Sequence, residues 1–149
     1  MRAVIQRVKE ASVRVSGKEV ARIGRGFLVL LGVEKGDTEK DLSWMAEKIA
    51  GLRLFEDATG KMNLALLEAG GEVLLVSNFT VCADCRRGRR PSFDPAEAPE
   101  AARGLCEALA EALREKGLSV KTGVFGAYME VALVNDGPVT VILDSRKRL

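Results

Sequence analysis

Hydrophobic positions in the first third of the chain fall into short runs, and over residues 12–15 they alternate with polar ones in the two-residue period of a β-strand. Strands are predicted at residues 3–5, 12–15 and 20–23, with a turn at residues 16–18. Residues 27–31 form an unbroken apolar run, which is typical of a strand buried on both faces. The pattern therefore predicts a β-meander that leads into a core strand.

A period of three to four residues replaces this pattern at two places. The first predicted helix has its N-cap at Asp37 or Thr38. Its apolar stripe consists of Leu42, Met45, Ala46 and Ile49. The second helix is opened by Pro95 and Pro99 and ended by Gly117. Its stripe consists of Leu105, Ala108, Leu109, Ala112 and Leu113. Both segments are therefore predicted to be amphipathic helices.

The rest of the chain is predicted to form strands and turns. Residues 52–55 read as a short strand before a turn at residues 57–60, and residues 72–76 as a buried strand that runs into Ser77. Further strands are predicted at residues 118–122, 129–135 and 139–143. Two long helices among about eight to ten short strands indicate a mixed α/β or α+β fold. We expect one domain over residues 1–149, a curved sheet or open barrel with both helices packed on one face.

Composition is that of an ordinary globular protein, with 47% hydrophobic and 30% charged residues. The first ten residues carry charges that a signal peptide lacks, and no stretch reaches the roughly 18 apolar residues needed to span a bilayer. Three cysteines without a disulfide spacing, Cys82, Cys85 and Cys106, suit a reducing compartment. We therefore expect a cytoplasmic protein that does not bind a membrane.

The chain contains no histidine. Ser-His-Asp and Cys-His catalysis, a histidine general base and histidine metal ligands are all excluded. Cys82 and Cys85 form a C-x-x-C pair, but a tetrahedral zinc site needs two further ligands, and only Cys106 or a carboxylate could supply them. No metal and no cofactor are therefore expected.

One group of candidate residues directly follows the buried strand at residues 72–76. It consists of Ser77, Asn78, Phe79 and Thr80. Functional side chains often lie where such a strand ends, although these residue types also suit a capped turn with a solvated basic loop. Four arginines follow, and with Asp84 as the single local acid they give a local charge of about +3, which suits phosphates. These arginines are Arg86, Arg87, Arg89 and Arg90.

A second group, NDGPVT at residues 135–140, separates the last two predicted strands. On residue types alone it is a tight turn with a trans bond before Pro138, because only about 5–6% of X-Pro bonds in folded proteins are cis.

Seven segments together resemble the bacterial and eukaryotic D-aminoacyl-tRNA deacylase family over nearly the whole chain. In chain order they are MRAVIQRV at the start, LLGV at 30–33, KMN at 61–63, SNFT at 77–80, RRPSF at 89–93, FGAYM at 125–129 and NDGPVT at 135–140. Seven matches in order are highly specific. The chain departs from the family at Asn78, where the family usually has glutamine.

The resemblance implies an enzyme that hydrolyses the ester of D-aminoacyl-tRNA or glycyl-tRNA and spares L-aminoacyl esters. It implies a homodimer in which Gly137 and Pro138, joined by a cis bond, reach the partner's pocket and reject L-amino acids. The backbone N–H groups of Phe79 and Thr80 would face the scissile carbonyl, so the change at Asn78 is tolerable.

The resemblance also implies catalysis assisted by the 2′-hydroxyl of the tRNA, with Thr80 fixing substrate or water. A threonine nucleophile needs an adjacent base, and none is apparent. Phe125 and Met129 are expected either to line the adenosine or aminoacyl pocket or to pack in the core.

Two other functions stay open from the residues. One is a non-catalytic tRNA- or ribosome-binding barrel that uses the arginines of residues 86–90 and the basic tail at residues 146–148. The other is a hydrolase of small esters or D-peptides that needs no RNA.

Overall fold

The first third of the chain forms the centre of a sheet. In the computed structural model, which describes residues 1–149, β1 spans Arg2–Val15, β2 spans Lys18–Ile23 and β3 spans Gly26–Gly32. The two strands predicted within β1 are one continuous strand, because Val8 and Ala11 between them are also buried.

The other strands complete a curved mixed sheet that is nearly closed into a barrel. The remaining elements are α1 (Glu39–Gly51), β4 (Phe55–Glu56), β5 (Met62–Leu64), β6 (Glu72–Ser77), a 3₁₀ turn (Phe79–Cys82), α2 (Pro99–Glu115), β7 (Ser119–Thr122) and β8 (Glu130–Asp144). The strand order is β2-β1-β3-β6-β7. β1 pairs with β3 through residues 2–8 and with β2 through residues 11–15, and β8 pairs with β1 from Arg2 to Arg14. β3, β6 and β7 are parallel to one another, whereas β1 is antiparallel to all its neighbours. The predicted mixed fold with two helices is confirmed.

Both faces of the sheet are buried at its centre. Phe27 packs in the larger core between the sheet and the helices, whereas Leu28 packs in a second core on the opposite face of the sheet. Full burial of such a side chain contributes about 1.5–3 kcal/mol to stability. The unbroken apolar run of β3 is therefore a strand with two buried faces, as its sequence predicts.

The first helix follows its sequence pattern closely. Thr38 caps α1 through a capping box with Asp41, since the Thr38 side chain accepts from Lys40 N at 3.3 Å and Asp41 Oδ2 accepts from Thr38 N at 2.8 Å. All residues of the predicted apolar stripe are buried: Leu42, Met45, Ala46 and Ile49.

The second helix differs from its prediction in two respects. It begins at Pro99 and not at Pro95, because Pro95 lies in a turn that is closed by a hydrogen bond from Ala96 N to Phe93 O at 3.0 Å. The predicted stripe residue Ala108 is exposed, and Ala110 is buried in its place. The buried face of α2 therefore includes Ala110 in place of Ala108, and Cys106, on the same side of the helix, packs against the larger core.

Two strand predictions are also wrong in their bounds. β4 begins at Phe55, because Leu52 is the C-cap of α1 and donates its N–H to Lys48 O at 2.9 Å. The last two predicted strands form the single strand β8, which continues through Gly137 and Pro138, and the bond between these two residues is cis. None of the helices has the length and apolar character needed to cross a membrane.

Candidate active site

A cavity of about 770 Å³ opens where β3 and β6 end. Its walls are formed by these strand ends, the 3₁₀ turn, the start of α2 and the loop before β8. The predicted site residues in its lining are Ser77, Asn78, Phe79, Thr80, Phe125 and Met129. The structure therefore brings together six residues that are up to 52 positions apart in the sequence, counted from Ser77 to Met129.

The 3₁₀ turn is held against β3 by a close approach of two backbone segments. A Cβ atom added at Gly32 would lie 2.5 Å from Cys82 Sγ and 3.3 Å from Asn78 O. Asn78 N donates to Leu31 O at 2.8 Å, and Cys82 is buried beneath the turn. Glycine at position 32 thus lets residues 78–82 lie directly on the end of the strand.

The hydroxyl of Thr80 is bound within this segment. Thr80 Oγ1 donates to Asn78 Oδ1 at 2.5 Å. No carboxylate, amine or other base contacts Thr80 Oγ1 within hydrogen-bonding distance. The N–H groups of Phe79 and Thr80 are the first two of the 3₁₀ turn, so the turn itself offers them no acceptor. These two backbone donors are available to a ligand.

Phe125 and Met129 share a position in the cavity wall and differ in their packing. Both are half-buried and line the cavity. Met129 also packs against the second core, and Phe125 carries the guanidinium of Arg103 over its ring at 5.1 Å. A smaller cavity of about 120 Å³ adjoins the first and shares Ser77, Cys106 and Phe125 with it.

Gly137 and Pro138 lie on the surface and do not line the cavity of their own chain. The backbone on either side of them is fixed. Arg7, a buried residue of β1, donates from Nε to Asp136 O at 2.9 Å and from Nη1 to Leu54 O at 2.6 Å. Val139 N donates to the Asn135 side chain at 2.8 Å. The motif is therefore a fixed projection of β8.

The four predicted arginines stand on a loop closed by a pair of backbone hydrogen bonds between Asp84 and Ser92. Arg86 is held by Asp84 at 2.7 Å, and this guanidinium keeps the pKa of the Asp84 carboxyl well below its usual range. The arginines that form no ion pair within the chain are Arg87, Arg89 and Arg90, all exposed. The loop therefore offers three free cations and not four.

The basic tail is not a free patch. Arg148 pairs with Glu34 and Asp144, and Arg146 pairs with Asp37 at 3.0 Å. These ion pairs hold the tail on the protein, so the RNA-binding alternative loses two of its three tail cations.

The family model described as D-Tyr-tRNA(Tyr) deacylase matches residues 4–144. The chain belongs to this deacylase family. Relatives named D-aminoacyl-tRNA deacylase include one from Desulfitobacterium hafniense (strain DSM 10664 / DCB-2), 59% identical over 147 residues and covering 99% of each chain. The relative from Thermus aquaticus is 59% identical over 148 residues, covering 99% of this chain and 97% of its own. The predicted family is confirmed, and the chain is a hydrolase of aminoacyl-tRNA.

Two solved structures share the fold of this deacylase. The structure described as c-Myc DNA Unwinding Element Binding Protein superposes with a TM-score of 0.92 at 44% identity, covering 97% of this chain and 98% of that one. The structure of a probable eukaryotic D-amino acid tRNA deacylase has a TM-score of 0.78 at 17% identity, covering 95% and 97%, and shows the common fold alone.

Two thiols of the deacylase, Cys82 and Cys106, are not prepared to act as nucleophiles. Burial raises the pKa of Cys106 to about 11, although a hydrogen bond with Ser77 opposes this shift. Burial likewise raises the pKa of Cys82 to about 11. Both thiols are protonated at neutral pH, whereas the thiolate is the reactive form. Cys82 is buried and Cys85 exposed, and no group of three or more Cys, Asp or Glu side chains could hold a metal ion.

Several residues that line the cavity are absent from the predicted site. Among them are Phe93, Glu97, Cys106 and Tyr128. Phe93 stands in the RRPSF segment and contacts Phe79 edge to face at 5.1 Å, so a sequence signal for it existed. Glu97, the only charged residue in the lining of the larger cavity, has no such signal, because its position depends on the path of the loop before α2.

Proposed function

We propose that this deacylase hydrolyses the ester between a D-amino acid, or glycine, and the terminal adenosine of tRNA, and that it spares L-aminoacyl esters. The products are the free amino acid and tRNA. The observation that carries the proposal is the convergence of the Ser77–Thr80 segment with Phe125 and Met129 in one cavity. Because the substrate is aminoacyl-tRNA, we place this activity in the cytosol.

The cavity suits the end of a charged tRNA. Small-molecule sites usually measure about 300–1,000 Å³ and carry a few polar groups on a mostly apolar wall. Here 14 of the 20 lining residues are hydrophobic, and the polar groups are concentrated at Ser77, Asn78 and Thr80. An adenine ring and a short aminoacyl group would occupy the apolar part, and the ester would lie against the polar segment.

The backbone N–H groups of Phe79 and Thr80 are the proposed oxyanion donors. They are supplied by the main chain, so the amide side chain of Asn78 does not have to reach the carbonyl. Each such donor lowers the barrier by roughly 2.7–4 kcal/mol when it is preorganised. The packing of Gly32 against the turn supports that preorganisation, since it leaves the turn little freedom to move.

The attacking water would be assisted by the 2′-hydroxyl beside the ester, and not by a protein nucleophile. Thr80 Oγ1 donates to Asn78 and has no base beside it. A hydroxyl nucleophile requires such a base. Thr80 therefore orients the polar segment, and the RNA takes part in its own deacylation.

Rejection of L-amino acids is assigned to Gly137 and Pro138 of a second copy of the chain. The motif is a fixed, exposed projection that lies outside its own cavity. The same strand exposes Val134 and Ile142, 45% and 59% accessible, which would be covered in a homodimer. Carbonyl groups of the motif would bind the substrate ammonium and exclude an L side chain.

The free arginines of the loop between Asp84 and Ser92 would bind the phosphates of the tRNA. Phe93, at the end of this loop, contacts Phe79 in the cavity lining, so the loop and the cavity are continuous. Arg87, Arg89 and Arg90 are the members available for this role, because arginine pairs with phosphate oxygens through two parallel hydrogen bonds.

One matched pair of substrates tests the steric filter. Glycine and L-alanine, charged chemically onto the same tRNA, differ by a single methyl group. The purified chain should release glycine rapidly and leave L-alanyl-tRNA at its uncatalysed rate, while D-alanyl-tRNA should be hydrolysed like the glycyl ester. Equal turnover of the L- and D-alanyl esters, or stable glycyl-tRNA, would contradict the proposal.

A further inference from the structure

Arg103 is a cation beside the cavity that has no acidic partner in the chain. It lies in the first turns of α2, and its guanidinium stands 5.1 Å from the centre of the Phe125 ring. The side chain is exposed and forms no ion pair, although Glu100 and Glu107 lie one turn away on the same helix. It also lines the smaller cavity that adjoins the main one.

Among all the residues that line the two cavities, Arg103 is the only cation. The other charged groups there are Glu97 and Glu107. A nucleotide phosphate placed near these two carboxylates would be repelled unless a cation lay between. Arginine is the side chain best suited to that position, because its planar group pairs bidentately with phosphate and remains stacked on an aromatic ring.

We propose that Arg103 binds the phosphate that joins the terminal adenosine to the preceding nucleotide of the tRNA. The inference rests on the proposed function, which places the adenine ring in the apolar part of the cavity, where Phe125 is one of the lining residues. A base is joined to its own 5′ phosphate through a single sugar, so a base in contact with Phe125 brings this phosphate near the guanidinium. Arg103 is thus a positioning residue that fixes the depth to which the 3′ end enters the cavity.

The ring contact and the phosphate contact predict different kinetics. If Arg103 only held Phe125 in place, its loss would disturb the ester and lower kcat. A phosphate contact is already made in the ground state, so its loss raises KM and leaves kcat unchanged. It also reduces the number of phosphates that the protein neutralises, which changes the dependence of binding on salt.

The test compares Arg103→Gln and Arg103→Lys with the unchanged chain on D-tyrosyl-tRNA at several salt concentrations. Lys48→Gln is the matched control, since Lys48 lies over the Trp44 ring at 5.6 Å on α1 and lines neither cavity. We expect Arg103→Gln to raise KM about 10- to 100-fold, the usual loss for a hydrogen bond to a charged group. The slope of log(kcat/KM) against log salt should fall in magnitude by about 0.7, the value for one phosphate of a single strand. Lysine should restore part of the affinity.

An unchanged KM for Arg103→Gln, or a fall in kcat with an unchanged salt slope, would overturn the inference. So would an equal effect of Lys48→Gln. A lack of turnover by the unchanged chain would have a different meaning, because it would remove the proposed function and the inference with it.

Discussion

At the scale of single residues, the hydrogen bond between Thr80 and Asn78 supports the proposal that the RNA, and not a protein hydroxyl, assists the attack on the ester. Thr80 Oγ1 donates its proton to an amide oxygen at 2.5 Å, and an amide oxygen cannot remove that proton. The hydroxyl therefore lacks the activation that a nucleophile needs. Its remaining role is to hold Asn78 and the backbone around it.

The substitution Thr80→Ala should lower kcat/KM by no more than about tenfold, since one neutral hydrogen bond has a net value of about 0.5–1.5 kcal/mol. A substrate with a terminal 2′-deoxyadenosine should react about 10²–10⁴-fold more slowly, the usual range for loss of a proton-transfer group. Single-turnover release of D-tyrosine measures both. Thr59→Ala is the control, since Thr59 binds only within its own turn at Asp57. Severe loss with Thr80→Ala and none with the deoxy substrate would make Thr80 the nucleophile.

Much of the candidate site at this scale could be predicted from the sequence. The apolar run that ends at Ser77 places the polar segment at a strand end, and the structure puts that segment in the cavity. Glu97 could not be predicted, because its position depends on the bonds of the preceding loop. Nor could the ion pair that removes Arg86 from the free arginines, because Asp84 could equally have pointed into solvent.

At the scale of elements, the site depends on the 3₁₀ turn lying directly on the end of β3. Gly32 makes this possible, because no room remains for a Cβ atom between the strand and Cys82. The turn carries both proposed oxyanion donors, so a displacement of a few tenths of an ångström would affect the chemistry more than the fold.

We expect Gly32→Ala to cost about 1–3 kcal/mol of stability, as other additions to packed sites do, and to lower kcat more than it raises KM. Thermal unfolding and steady-state kinetics on D-tyrosyl-tRNA test this. Gly24→Ala is the control, because a Cβ atom there meets nothing within 4 Å. An unchanged kcat for Gly32→Ala would show that the position of the turn is not critical.

The elements themselves are predictable where the local pattern and the packing agree. The stripe and cap of α1 and the doubly buried strand β3 follow from the order of their residues. The face of α2 that becomes buried does not, because it is set by contacts with α1, which lies far away in the sequence, and with β7, whose place depends on its pairing with β6. The continuity of β8 through Pro138 is also a tertiary effect, since its pairing partner is β1, at the opposite end of the chain.

At the scale of the whole molecule, the account requires two copies of the chain for one complete site. In the proposed dimer, one copy contributes the cavity and the other contributes the projection formed by Gly137 and Pro138. A mixture of two defective variants can test this division. Gly137→Ala damages the projection, because Gly137 has φ +145° and an added Cβ atom would lie 2.9 Å from Val139 N. Ala127→Trp fills the cavity, whose lining includes Ala127.

Each variant alone should hydrolyse D-tyrosyl-tRNA poorly. After the two are mixed and allowed to exchange subunits, about a quarter of the normal activity should return, because half of the dimers are mixed and each has one intact site. Size-exclusion chromatography with light scattering monitors the dimer. If no activity returns although mixed dimers have formed, projection and cavity must act within the same chain.

The most direct test of the central claim is the release of amino acid from matched D-tyrosyl-tRNA and L-tyrosyl-tRNA by the purified chain, with and without a chelator. The account predicts rapid release of D-tyrosine that the chelator does not affect, and L-tyrosyl-tRNA that decays at its uncatalysed rate. Release from neither substrate, or equal release from both, would contradict it.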